Sequence, residues 1–146
     1  MDWSVVRRLW EKWAPNNVGS SGPLKAAILI NYDPTGPSRL VSTIAEQEGI
    51  KADPIEISQF LSFVKRNKLQ TETFFVGPIQ YLVTSIHESW FCARSLNTSL
   101  QAGEGAIVMQ TSYFLLIGLY EGSIGSATCA MVAVDQFASQ LSRRNL

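Results

Sequence analysis

Charge, histidine and cysteine are all scarce in this 146-residue chain, and each scarcity removes a class of function. Only 16% of residues are charged, and 12 basic side chains balance 12 acidic ones. A zero formal net charge argues against nucleic acid as the main partner, because phosphate binding usually demands a strong basic excess. No lysine follows Lys68, so neither Gly103 with Gly105 nor Gly122 with Gly125 forms a phosphate-cradling loop with a lysine. His87 is the single histidine, and Cys92 and Cys129 are the two cysteines. Without a C-x-x-C motif they offer too few soft ligands for zinc, and they are expected as reduced, buried thiols. His87 and Cys92 fall in one strand-like run, five residues apart, which predicts opposite faces rather than a base beside a nucleophile. Glu46 and Glu48 lie in a loop-like stretch and Glu121 in a turn, so paired carboxylates are missing too. The expectation is a protein with no catalytic site, no metal and no cofactor.

Long hydrophobic runs are also missing. No stretch reaches the length of a charge-free membrane helix, and the opening segment MDWSVVRRLWEKW carries charges throughout, unlike a secretory signal. The expected location is cytoplasmic. Hydrophobic residues nevertheless make up 46% of the chain, enough for a proper core in one domain spanning 1–146.

The patterning of those residues predicts an α/β (α+β) architecture. Residues 2–14 read as a helix, stopped by Pro15, Asn16 and Asn17. Residues 24–32 form a short apolar run bounded by turn signals, and 39–44 a partner strand. Pro54 opens a second helix over 54–68, with Ile57, Phe60, Leu61 and Val64 at i, i+3, i+4, i+7. Residues 73–83 make two strand segments broken at Gly77-Pro78, and 86–95 another strand. Residues 106–111 and 113–120 form a tight antiparallel hairpin. In the last segment Ala127, Ala130, Met131, Val134, Phe137, Ala138 and Leu141 recur at helical spacing, with Ser126 as a cap and Arg143 and Arg144 near the C-terminal dipole. Consecutive strands joined by short loops imply an antiparallel sheet, with the helices from the two ends of the chain packed on one face.

Three segments carry a resemblance: FFVGPIQYLV, the hairpin GAIVMQTSYFLLIGLYEG and the tail AVDQFASQLSRRNL. In this order they resemble the second half of profilin, and MDW with Trp3 and the strand KAAILI are similar to its beginning. The match runs almost without gaps from Phe74 to Leu146, apart from a longer loop around Ser95 to Gly103. The resemblance implies a central antiparallel sheet with the N- and C-terminal helices on one face and the other two helices on the opposite one. It also implies binding of monomeric actin through late strands and the start of the last helix, and of proline-rich segments between the terminal helices. Phosphoinositide head groups are a third implied partner, and Arg7, Arg8, Lys12, Arg143 and Arg144 on the terminal helices would supply a basic patch.

Carried over by position, the actin face comprises Gln80, Val83, Arg94, Gln110, Thr128 and Met131, with Asp135 or Gln136 further along the helix. Arg94 matches a basic family position, whereas Gln80, Leu96 and Gln110 stand where many profilins carry a basic residue. The implied proline groove comprises Trp3, Val6, Leu40, Gln140, Leu141 and Leu146. Such grooves lay aromatic rings flat against a polyproline II ligand, and here Val6, Leu40, Gln140 and Leu146 replace aromatic or histidine positions. Trp10 lies seven residues after Trp3, so a groove rebuilt around Trp3, Trp10 and Gln140 is one expectation. The other is that Trp10 and Trp13 pack the helix onto the sheet. A scaffold or adaptor of the roadblock or longin type is the competing reading. It would dimerise, whereas a profilin is expected to be monomeric.

Overall fold

The computed structural model describes residues 3–19, 22–31, 43–46, 73–76, 79–87, 89–97, 101, 103–111, 113–122 and 124–145. The helix expected over 54–68 lies outside them, as do Leu40 and Leu146. The described elements are α1 (Trp3–Asn17), β1 (Ala26–Asn31), β2 (Thr43–Glu46), β3 (Thr73–Val76), β4 (Ile79–Ile86), β5 (Trp90–Ser95), β6 (Glu104–Gln110), β7 (Phe114–Glu121) and α2 (Ile124–Ser142). The seven strands form one sheet in the order β2-β1-β7-β6-β5-β4-β3, and each neighbouring pair is antiparallel. Strands β3 to β7 are thus a continuous meander, and β1 closes onto the far side of β7.

Helix α1 outlasts its proline. Pro15 lacks a backbone donor, yet Val18 N donates to the Ala14 carbonyl at 2.8 Å, and the helix runs to Asn17. The side-chain amides of Asn16 and Asn17 donate to the carbonyls of Lys12 and Trp13, at 3.2 and 2.8 Å. The residues expected to stop the helix therefore bond back onto its final turn instead, each to the carbonyl four positions earlier. At the other end of the chain, α2 begins at Ile124, so Ser126 sits inside the first turn rather than at the cap.

Both helices pack on the same face of the sheet, and against each other. Val6, Trp10, Trp13 and Ala14 of α1 meet Ala130, Val134, Phe137 and Leu141 of α2 over Leu29, Ile107, Leu116 and Tyr120. The aromatic rings form a knot, with Trp13 4.9 Å and Trp10 5.6 Å from Phe137. Trp13 Nε1 also donates to the Ala133 carbonyl at 2.9 Å, so its one polar atom is satisfied in the core. The opposite face carries a second buried cluster, including Ile28, Ile30, Phe74, Tyr81, Val83, Phe91, Val108 and Ile117.

Two strand expectations shift. The partner strand expected over 39–44 is observed at Thr43–Glu46. The run 86–95 is not one strand: β4 ends at Ile86 and β5, its antiparallel partner, starts at Trp90. His87 N donates to the Trp90 carbonyl at 2.8 Å to close this hairpin. The His-Glu-Ser sequence contains none of the glycine, proline or asparagine that marks a tight turn, which is why the break was not legible. His87 and Cys92 consequently lie on different sides of a turn. His87 is exposed and stacks on Trp90, with ring centroids 3.8 Å apart. Cys92 is half-buried, and Cys129, expected in the core, is exposed on α2.

Candidate functional site

Helix α2 lies over β6 and β7, and this leaves the β3–β4–β5 part of the same face without a described helix against it. The pairing register orders the side chains there into cross-strand rows. Phe75 stands opposite Gln80, and the Leu96 amide donates to the Gln80 carbonyl at 2.8 Å, which aligns Leu96 with the same row. Leu82 is paired with Thr73 on one side and Arg94 on the other. Phe75 is 54% exposed and Leu96 55%, large values for apolar side chains on a sheet. On the same side of the sheet α2 presents Thr128, Val132, Asp135 and Gln136 to solvent, and Val132 is 65% exposed.

Six of the eight residues expected on the actin face have exposed or half-buried side chains clear of the second core and of the Arg94 nook. Gln80 lies on β4 and its amide donates to Thr73 Oγ1 at 3.2 Å. Thr128, Asp135 and Gln136 are exposed on α2, and Met131 is partly buried beside the core. Gln110, half-buried at the end of β6, meets Asp135 across a groove of about 480 Å³ that also includes Thr111, Ser139 and Arg143. Val83 does not belong with them. It is 6% exposed and points into the second core, because the alternation along β4 sends it to the face opposite Leu82.

Arg94, the residue expected as a surface cation, is half-buried and tied inward. Its Nη1 donates to the Gly122 carbonyl at 2.8 Å and to Tyr120 Oη at 3.4 Å, and its guanidinium carbon lies 5.7 Å from the Tyr120 ring centre. Glycines make the room. A Cβ on Gly105 would fall 2.3 Å from Tyr120, and one on Gly103 would fall 2.5 Å from Arg94 Nη2. The glycines that hold no phosphate thus have a packing reason that only the fold reveals.

The positions implied for a proline groove are divided. Val6 and Leu141 are wholly buried and Trp10 is 6% exposed, so all three belong to the helix–helix core. Gln140 is half-buried on α2. Trp3 opens α1, and Leu40 and Leu146 lie outside the described residues. Of the two expectations for Trp10 and Trp13, packing onto the sheet is the one observed. Arg7, Arg8, Lys12, Arg143 and Arg144 are all exposed.

Chemistry is sparse around these surfaces. No group of three His, Cys, Asp or Glu side chains able to hold a metal occurs among the described residues. Burial pushes the Cys92 thiol up, and a hydrogen bond with Ser85 pulls it partly back, so a reactive thiolate is disfavoured. The buried carboxylate of Glu104 is paired with Lys25, joining the start of β6 to the approach to β1. No helix among the described residues is long and apolar enough to cross a membrane.

A seven-stranded antiparallel sheet, with the N- and C-terminal helices on one face, defines a small α+β module. A family model described as Profilin matches residues 8–146, and the chain belongs to the profilin family, a family of non-enzymatic actin-binding proteins. Among solved structures, profilin IA of Acanthamoeba castellanii is similar at 18% identity, with 94% of this chain and 99% of that one covered and a TM-score of 0.66. LokiProfilin1, in its complex with rabbit actin, is similar at 12% identity, with 98% and 97% covered and a TM-score of 0.64. Mouse profilin IIa, in complex with a double repeat from the FH1 domain of mDia1, is similar at 15% identity over 100% of both chains, with a TM-score of 0.63. No curated protein matches the sequence at a significant level.

Proposed function

We propose that this chain binds monomeric actin through the open β3–β4–β5 patch and the exposed stripe of α2, and so regulates actin assembly. The observation that carries the reading is the exposure of Phe75 and Leu96, in one sheet row with Gln80 and with no described helix over them, on the side where α2 exposes Thr128, Val132 and Asp135. Exposed apolar groups grouped beside polar ones are what a partner-binding surface requires. Family membership supplies the identity of the partner, and a relative of the same fold is known in complex with actin. The contact set is Gln80, Gln110, Thr128, Met131, Asp135 and Gln136, with Phe75 and Leu96 as apolar anchors. The chain acts as a monomer in the cytoplasm, associated with the cytoskeleton. In a pyrene-actin assay, a several-fold excess is expected to slow spontaneous assembly, and a time course unchanged by that excess sinks the reading.

Binding of proline-rich segments is a second, weaker activity of the same molecule. What supports the weakness is the burial of Val6, Trp10 and Leu141, which leaves those side chains little surface for a ligand. A relative of this fold is known in complex with a double repeat from the FH1 domain of mDia1, and the groove positions that the family resemblance implies here lack most aromatic platforms. A proline-rich peptide titrated against tryptophan fluorescence is expected to give a Kd in the upper micromolar range or above, about 10⁻⁴ M. Saturation at low micromolar peptide would show an intact groove instead.

A further inference from the structure

Strands β3, β4 and β5 carry one charged side chain between them, Arg94. A lone cation on a docking face reads as the electrostatic contact to an acidic partner. Its surroundings contradict that role. The guanidinium reaches away from the open patch, donates to the Gly122 carbonyl at 2.8 Å and lies against the Tyr120 ring. Gly122 N in turn donates to the Gly103 carbonyl at 2.9 Å, which joins the approach to β6 to the exit from β7. Gly103 and Gly122 both have positive φ, 88° and 115°, a conformation that favours glycine. Arg94 therefore sits in a nook formed by two glycine turns and one tyrosine, two residues before the first turn of α2.

We propose that Arg94 is a positioning residue, bracing β5 against the β7–α2 turn so that the helix stripe and the sheet patch present one surface to actin. This rests on the actin reading above. The surface has two parts, one on β4 and the end of β5, the other on α2. A partner spanning both loses contacts whenever α2 shifts relative to the sheet. Arg94 donates from β5 to the backbone immediately preceding α2, and the planar guanidinium serves a carbonyl, a hydroxyl and a ring face at once, which an ammonium does not. With its charge engaged inside, the recognition surface is mainly uncharged, Asp135 being the one ionised side chain among the proposed contacts, so affinity depends weakly on salt.

Arg94→Met removes charge and brace together, whereas Gly103→Ala keeps the charge but places a methyl 2.5 Å from Nη2. Wild-type affinity for actin is expected to change by less than about threefold between roughly 0.05 and 0.2 M salt. Both variants are expected to bind about tenfold more weakly with the wild-type salt slope, and Arg94→Lys to recover only part of the loss. Amide exchange at Gly122 and in the first turn of α2 should accelerate in Arg94→Met, a readout independent of actin and of how well Gly103→Ala folds. A flattened salt slope in Arg94→Met with unaltered binding by Gly103→Ala would make Arg94 a direct contact and overturn the proposal. Wild-type affinity in Arg94→Met, with only a lower melting temperature, overturns it equally. If wild-type protein does not touch actin, the functional reading fails, and unchanged exchange in Arg94→Met then removes the brace as well.

Discussion

At the scale of single residues, burial decides more than chemical type. Tyr81 is 1% exposed and stacks on Phe74 with ring centroids 5.6 Å apart. Burial, and secondarily the nearby Tyr120, pushes its hydroxyl up to about 12. The unfolded chain releases this proton near pH 10 while the folded one retains it, so the unfolded state binds fewer protons between those values. Stability from Tyr81 is thus fully present below about pH 10 and is lost as pH rises toward 12, a contribution on the order of 2 kcal/mol. Thermal midpoints measured across this window should fall for the wild type and fall less for Tyr81→Phe. The same principle separates residues alike in sequence. Val83 and Leu82 are adjacent apolar residues of β4, yet one is core and the other lines the open patch. Arg94 is expected on the actin face as a basic residue, because nothing local signals a carbonyl 28 positions away in sequence.

At the scale of elements, the register of α2 on β7 rests on a missing side chain. Gly118 faces the helix, and a Cβ there would lie 2.6 Å from Val134 Cγ2 and 3.2 Å from Leu24 Cδ2. Gly118→Ala is expected to cost about 1–3 kcal/mol by overpacking, and Val134→Ala in the same molecule to restore part of it. Denaturant melts of the two single variants and the double variant measure this coupling, and strictly additive losses would refute it. Helical periodicity made the core face of α2 legible in advance, since Ala130, Val134, Phe137, Ala138 and Leu141 are all buried. The β6–β7 hairpin was legible for a similar reason, being two apolar runs with almost nothing between them. The break between β4 and β5 and the extension of α1 past Pro15 were not. Both are stabilised by individual hydrogen bonds, those of His87, Asn16 and Asn17, rather than by a repeating pattern.

At the scale of the whole molecule, the two described helices lie over only part of one sheet face, and the part with no described helix against it is the proposed partner surface. Its exposed apolar groups do not serve the core, so changing them should separate binding from stability. Leu96→Asp is expected to weaken actin binding at least about tenfold while leaving the melting temperature within about 2 °C of the wild type. Loss of both together would place Leu96 in the fold rather than in the interface. The amino-acid sequence by itself determined most of the described elements, the antiparallel meander and the family, because hydrophobic period and turn chemistry are local and survive without knowledge of contacts. Which of the expected site residues reach solvent was decided only by tertiary structure. Trp10, Val6 and Leu141 disappear between α1 and α2, Val83 turns to the far face, and Arg94 folds inward onto Gly122. Each outcome depends on what a distant segment brings alongside, and the absences noted at the outset, few charges and no basic excess, leave an apolar patch as the surface that remains.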